Sequence, residues 1–161
     1  MFLARAVARV SLPIVLTLGL IMTSAAPAAA VAAPTEYQSV FQLAKKKIGA
    51  PWVHYAKGPN KFDCVGYVWW VFAQNDLKNR IGGYRGVKSY YRWFRERGLV
   101  SRSNPRVGDL VIWGDFKHIG MYIGDGKAIS ALVNPYGVKI HPVKGYLNVG
   151  FRYYLHTRLE R

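Results

Sequence analysis

Cysteine is almost missing from this chain of 161 residues: Cys64 is the one example. A disulfide framework needs pairs, so no internal bridge can form, and the same count excludes thiolate clusters that hold metal. Acidic residues are scarce as well, 8 against 23 lysines and arginines, for a formal net charge of +15. That balance points to anionic partners, or to plain solubility with weak adhesion. No nucleic-acid recognition motif accompanies the charge, so nucleic acid is not the expected partner. Beyond the N-terminal region there is no linker, repeat or low-complexity tract. The near-continuous apolar run from Val10 to Met22 is too short to span a bilayer comfortably.

What is present begins with that run. Arg5 and Arg9 precede it, and "TSAAPAAAVAAP", rich in small residues, follows it. This order reads as a Sec-type signal peptide over residues 1–32, with cleavage after Ala30 or Ala32. The expected destination is the bacterial cell envelope or the medium. Losing Arg5 and Arg9 with the leader takes the net charge from +15 to +13. Residues 33–161, about 130 in all, suit one domain with its own core. In an exported protein a leftover cysteine is either an intermolecular bridge or a reactive thiol.

The domain reads as helices followed by strands. Tyr37, Val40, Phe41, Ala44 and Ile48 keep helical spacing behind Thr35 as N-cap, with Gly49 as stop. A loop, "APWVHYAKGPNKF", leads to Asp63, the expected N-cap of a helix from Cys64 to about Asn75 that is apolar on nearly every side and therefore central. Val87 to Arg97 predicts an amphipathic helix. Strands are expected from Asp109 to Trp113, in a hairpin "HIGMYIGDGKAISALV", and in "GVKIHPV" and "GFRYYLHTRL". The class is α+β with an antiparallel sheet. A three-residue hairpin loop at Gly124 to Gly126 pairs Ile123 with Lys127 and, counting back, Gly120 with Ser130. His118 and Ser130 then share a face; a two-residue Asp125-Gly126 turn would separate them.

A thiol at the first turn of a helix meets unpaired N–H groups and the positive dipole end, which are expected to lower its pKa and to receive an oxyanion. A thiolate nucleophile needs an imidazole to move protons, and His118, opening a strand, is the candidate. The competing reading is a buried cysteine acting as a small hydrophobe. His54 lies in the loop before Asp63. His141 and His156 read as surface or edge residues.

Taken together, "GAPWVHYAKGPNKFDCVGYVWWVF" and "PRVGDLVIWGDFKHIGMYIGDGKAI" resemble the NlpC family of cell-wall cysteine peptidases. The match runs in order from Gly49 to about Ser130. The resemblance implies a papain-like fold that cuts peptide bonds in peptidoglycan stem peptides. It also implies Cys64 as nucleophile, His118 as general base, Ser130 in the third catalytic position, and Asp63 as an acidic residue near the stem-peptide amine. Asp109 matches a turn element. Departures fall at Val65, where the motif has serine, and at Trp52 and His54 in the loop. Trp52, His54, Asp63 and Val65 make up the expected substrate-binding set. Ser130 also departs, standing where the family usually has histidine, asparagine or glutamine; Asn134 or a water is the alternative for that role.

No cofactor or metal is called for, and a monomer is expected. The basic, aromatic stretch from Arg80 to Arg106 suggests docking on anionic wall polymer, or else an amphipathic helix whose aromatics are core. Two other functions stand beside the peptidase: a wall-binding module of the same fold with weak or no catalysis, and a toxin or effector using the same chemistry elsewhere.

Overall fold

The computed structural model describes residues 32–161, so the expected leader, Ala32 excepted, lies outside the described residues. Helix α1 spans Glu36–Lys45, with the Thr35 N–H donating to the Gln38 side chain at 2.9 Å. Helix α2 spans Cys64–Gln74. Asp63 sits before it in extended conformation, and its carboxylate accepts the Gly66 N–H at 2.6 Å, a helix cap made of one strong charge-assisted bond. Tyr67, Val68, Val71 and Phe72 of α2 are fully buried, and truncating Phe72 to alanine would cost about 3–5 kcal/mol. The Tyr67 hydroxyl donates to the Ala44 carbonyl at 2.9 Å and ties α2 to α1. A 3₁₀ turn, Lys78–Ile81, not foreseen from the sequence, precedes helix α3, Val87–Arg95.

Six strands form one antiparallel sheet: β1 (Val100–Ser101), β2 (Leu110–Trp113), β3 (His118–Gly124), β4 (Lys127–Leu132), β5 (Gly137–Pro142) and β6 (Phe151–Leu155), in the order β1-β6-β2-β3-β4-β5. Strand periodicity divides their side chains between two cores. Ile112, Ile119, Met121, Ile129, Ala131, Val138 and Leu155 pack with the helices. Val111, Trp113, Ala128, Tyr154 and Val143 pack together in a second, smaller core. The expected α+β, papain-like class is the one observed.

The hairpin corrects one expectation and keeps its consequence. Asp125 and Gly126 both have positive φ, 50° and 66°, and Gly124 pairs with Lys127. The tip is therefore a two-residue turn of the type I′ kind, not a three-residue loop. The register then shifts between Tyr122 and Gly124, so that Tyr122 faces Ala128 and Met121 faces Ile129. That irregularity restores the alignment in which Gly120 lies opposite Ser130, and His118 and Ser130 share a face.

Much of the basic stretch is bound within the fold. Arg80 reaches Glu36 at 2.8 Å and Glu160 at 3.2 Å. Arg97 lies over Trp93 and donates to its carbonyl, and Arg95 lies over Tyr91. Tyr90 and Phe94 are buried, while Tyr91 packs on Phe116 and Tyr153. The aromatics of α3 are thus core and sheet contacts, with arginines laid across them.

Candidate active site

Two glycines set how closely the pieces approach. A Cβ on Gly66, in the first turn of α2, would collide with the Ala56 carbonyl, so glycine there lets the loop close over the helix start. The loop is held there by the Asp63 N–H donating to that same carbonyl at 2.9 Å. A Cβ on Gly120 would lie 2.7 Å from the Ser130 Cβ and 2.8 Å from the Ile129 carbonyl. Glycine two residues after His118 therefore makes room for Ser130 on the neighbouring strand.

Cys64 is half-buried and unpaired. The backbone N–H groups of Ile119, at the start of β3, and of Cys64 and Val65 lie near enough to its sulfur to act on its ionisation. The thiol thus lies beside the residue next to His118. These donors favour the thiolate, as expected of a helix start, but they are outweighed. Burial first, and the neighbouring Asp63 carboxylate second, push the Cys64 thiol up to about 11. The sequence-based expectation of a lowered thiol pKa is therefore corrected: the carboxylate that caps the helix also repels a charge on the sulfur.

His118 is pushed the other way, down to about 4, by burial and then by the nearby His141. Both partners are thus uncharged near neutrality. The His118 Nε2 lies 2.8 Å from the Ser130 Oγ, and the same oxygen lies 2.8 Å from the His141 Nε2. His141 Nδ1 in turn is 2.9 Å from the Pro142 carbonyl. Trp113 leans on both imidazoles, with ring centroids 5.4 Å from each. Its own indole N–H is held by the Val143 carbonyl at 2.7 Å.

His141 stands on the edge strand β5, as expected, but is 2% exposed, so its reading as a surface residue is overturned. Residues eleven apart in the chain meet here because β4 and β5 pair with Ser130 opposite Lys139 and Ala128 opposite His141. The other histidine read as surface, His156, is also engaged: it bonds Asp109 and Ser101, each at 2.8 Å. Asn134, the alternative to Ser130, is exposed just after β4.

Of the expected substrate-binding residues, Asp63 is 8% exposed and borders the thiol. Trp52 is half-buried, bridges Phe62 and stacks on His54, which in turn stacks on Tyr55. Val65 is half-buried beside Cys64. Tyr84, which the sequence places only in the basic stretch, is close enough to Asp63 and Cys64 for their charges to raise its pKa, after burial. Lys57 lies over its ring at 4.1 Å. His118 also borders a cleft of about 480 Å³ lined by Leu132, Val133, Tyr136 and Tyr146 among others. Among the described residues no cluster of side chains suited to a metal ion occurs.

A helix-start thiol held against a sheet that carries an imidazole defines the papain-like class of α+β domains. Within that class the chain belongs to the NlpC/P60 family, whose model matches residues 49–152. It is 32% identical over 112 residues to the probable endopeptidase p60 of Listeria grayi, covering 68% of this chain and 20% of that protein. It is 34% identical over 113 residues to a probable endopeptidase of Corynebacterium glutamicum, covering 67% and 48%. The chain thus spans less than half the length of either relative. Among solved structures it superposes on the NlpC/p60 domain of the peptidoglycan hydrolase SagA with a TM-score of 0.59 at 27% identity, over 74% of this chain and 97% of that one. The peptidoglycan hydrolase RipB of Mycobacterium tuberculosis gives 0.60 at 20% identity, over 78% and 66%, a likeness of fold.

Proposed function

We propose that this protein is an exported cysteine endopeptidase that hydrolyses amide bonds in peptidoglycan stem peptides, with Cys64 as nucleophile and His118 as general base. The observation that carries the reading is the nearness of the Cys64 thiol, at the start of α2, to the Ile119 N–H, one residue from an imidazole already oriented by Ser130. Membership of a family with endopeptidase and peptidoglycan-hydrolase relatives supports the substrate class.

The chemistry starts from an uncharged pair. Ser130 occupies His118 Nε2, so Nδ1 is the ring nitrogen left to take the thiol proton. As the sulfur bonds to the substrate carbonyl carbon, that proton passes to Nδ1 and the carbonyl oxygen becomes an oxyanion. The Cys64 and Val65 N–H groups, which the Asp63 cap leaves over at the start of α2, are the donors for that charge. The imidazolium then protonates the leaving amine as the C–N bond breaks, and water, deprotonated by His118, releases the acyl group from sulfur. Asp63 adds a substrate-dependent element. Its carboxylate raises the thiol pKa, so a substrate ammonium placed beside it would cancel that repulsion and ease ionisation of the sulfur. Trp52, His54 and Val65 line the loop side of this path. The basic region from Arg80 to Arg106 offers residual charge to anionic wall polymer, and the protein acts as a monomer.

Purified stem peptides incubated with the protein should yield new amine termini. Cys64→Ala and His118→Ala should each lower that rate by about 10²-fold or more. Equal cleavage by wild type and Cys64→Ala would overturn the proposal. Salt-sensitive sedimentation with cell walls, without any cleavage, would leave a binding module instead.

A further inference from the structure

We infer that His141 is a positioning residue for the base: through Ser130 it selects which nitrogen of His118 carries the proton, and the Pro142 carbonyl fixes its direction. The inference rests on the peptidase reading above and follows from counting protons along one chain of hydrogen bonds. A carbonyl oxygen can only accept, so the 2.9 Å contact with Pro142 requires the proton of neutral His141 to sit on Nδ1. Its Nε2 is then a lone pair, and the Ser130 hydroxyl, 2.8 Å away, must donate to it. A hydroxyl has one proton. Its remaining contact, to His118 Nε2 at 2.8 Å, must therefore be filled by a proton on His118. Neutral His118 is left with a lone pair on Nδ1, the nitrogen that takes the thiol proton. The serine is short and uncharged, but a second imidazole and a backbone carbonyl behind it supply the direction that it lacks alone.

The same count predicts a switch. Once His141 is protonated on both nitrogens, its Nε2 donates to Ser130, the hydroxyl turns to donate to His118 Nε2, and the proton of His118 moves to Nδ1. The base is then in the wrong tautomer. Burial holds His141 below the usual histidine range, the Pro142 bond opposes this, and the charge of Lys139 adds to it. The ionisable groups around it among the described residues are His118 beyond Ser130, Lys139 on its own strand, and Tyr146, whose ring stacks at 5.2 Å. None of them is a carboxylate that would hold the charged form.

Two substitutions and one spectrum test this. His141→Phe keeps a ring against Trp113 and Tyr146 but cannot accept from Ser130. The hydroxyl then donates to His118, and kcat should fall by about tenfold or more with KM nearly unchanged. In His141→Gln the side-chain carbonyl can accept the serine proton. This variant should recover much of the loss, and its acid limb of kcat/KM should move to lower pH because the switching proton is gone. In the wild type near neutrality, ¹⁵N–¹H correlations of the histidine rings should show His118 protonated on Nε2 and bare on Nδ1, a readout that needs no turnover and no variant. A proton on His118 Nδ1, or a His141→Phe enzyme with wild-type kcat and pH profile, would overturn the inference. If Cys64→Ala cleaves as well as the wild type, the peptidase reading is what fails.

Discussion

Two clusters in this domain share the same contact, an imidazole Nε2 at 2.8 Å from a serine hydroxyl, and differ in what stands at their ends. In one, His118 and Ser130 lead through His141 to a backbone carbonyl at one end and to the thiol at the other. In the other, Ser101 and His156 lead to the Asp109 carboxylate. By residue types alone, the Asp109 cluster is the closer match to a hydrolytic triad. It does not present a nucleophile, because the Ser101 hydroxyl is 2.6 Å from the Ser103 carbonyl, which can only accept its proton. Asp109 is moreover engaged in structural bonds: it accepts from the Arg106 and Thr157 N–H groups besides its contact with His156. The lesson is that residue types do not define a site. The proton directions at its ends do.

The comparison is broken most severely at Asp109. Asp109→Ala leaves the buried Thr157 N–H and the part-buried Arg106 N–H without an acceptor where β2, β6 and the 102–109 loop meet. It should cost about 3–4 kcal/mol of folding stability, read as a lower denaturant midpoint with little change in slope. Activity per folded molecule should stay within about twofold of wild type, since nothing in this cluster touches Cys64 or His118. A large loss of kcat in the folded variant would show that the two clusters are coupled.

How much of this was legible in the sequence follows from how local each feature is. The α2 start was readable because Asp63 caps from the adjacent position and the apolar run is continuous. The alignment of His118 with Ser130 was readable because only one turn separates β3 from β4, although the turn itself was misjudged. Asp125 adopts a positive φ, which aspartate tolerates, and a register irregularity then compensates. His141 was not readable, because its role needs the pairing of β4 with β5, and the burial along β5 does not alternate cleanly. The direction of the thiol shift was hidden for a different reason. Helix-start donors and the capping carboxylate are adjacent in sequence and opposed in effect, and only the degree of burial decides between them.

Acid should separate the clusters by a somewhat smaller amount. His118 has its folded pKa lowered from 6.5 to about 4. Below the unfolded value the unfolded chain therefore binds the proton first, so stability contributed by this group is complete above about pH 6.5 and is lost as pH falls toward 4. The full shift corresponds to up to about 3 kcal/mol. His141, shifted in the same direction, adds to the slope. Unfolding free energies measured from pH 7 to 4 should therefore fall more steeply in the wild type than in His118→Phe. Parallel curves would mean that the imidazole is not held neutral by its surroundings, and the contrast with the carboxylate-backed cluster would weaken.

The smallest effect is expected where the likeness between the clusters is greatest, at the serines. Ser101→Ala removes the hydroxyl between His156 Nε2 and the Ser103 carbonyl, but His156 is 26% exposed and water can replace the lost bond. The cost should be about 1 kcal/mol or less, with unchanged kcat. Ser130 has no such relief, because it is fully buried between two rings. Ser130→Ala should therefore lower kcat about as much as His141→Phe, and the double variant should be no worse than either alone, since both cut the same chain. Additive losses would mean that serine and histidine act separately, and the two clusters would then differ only in position.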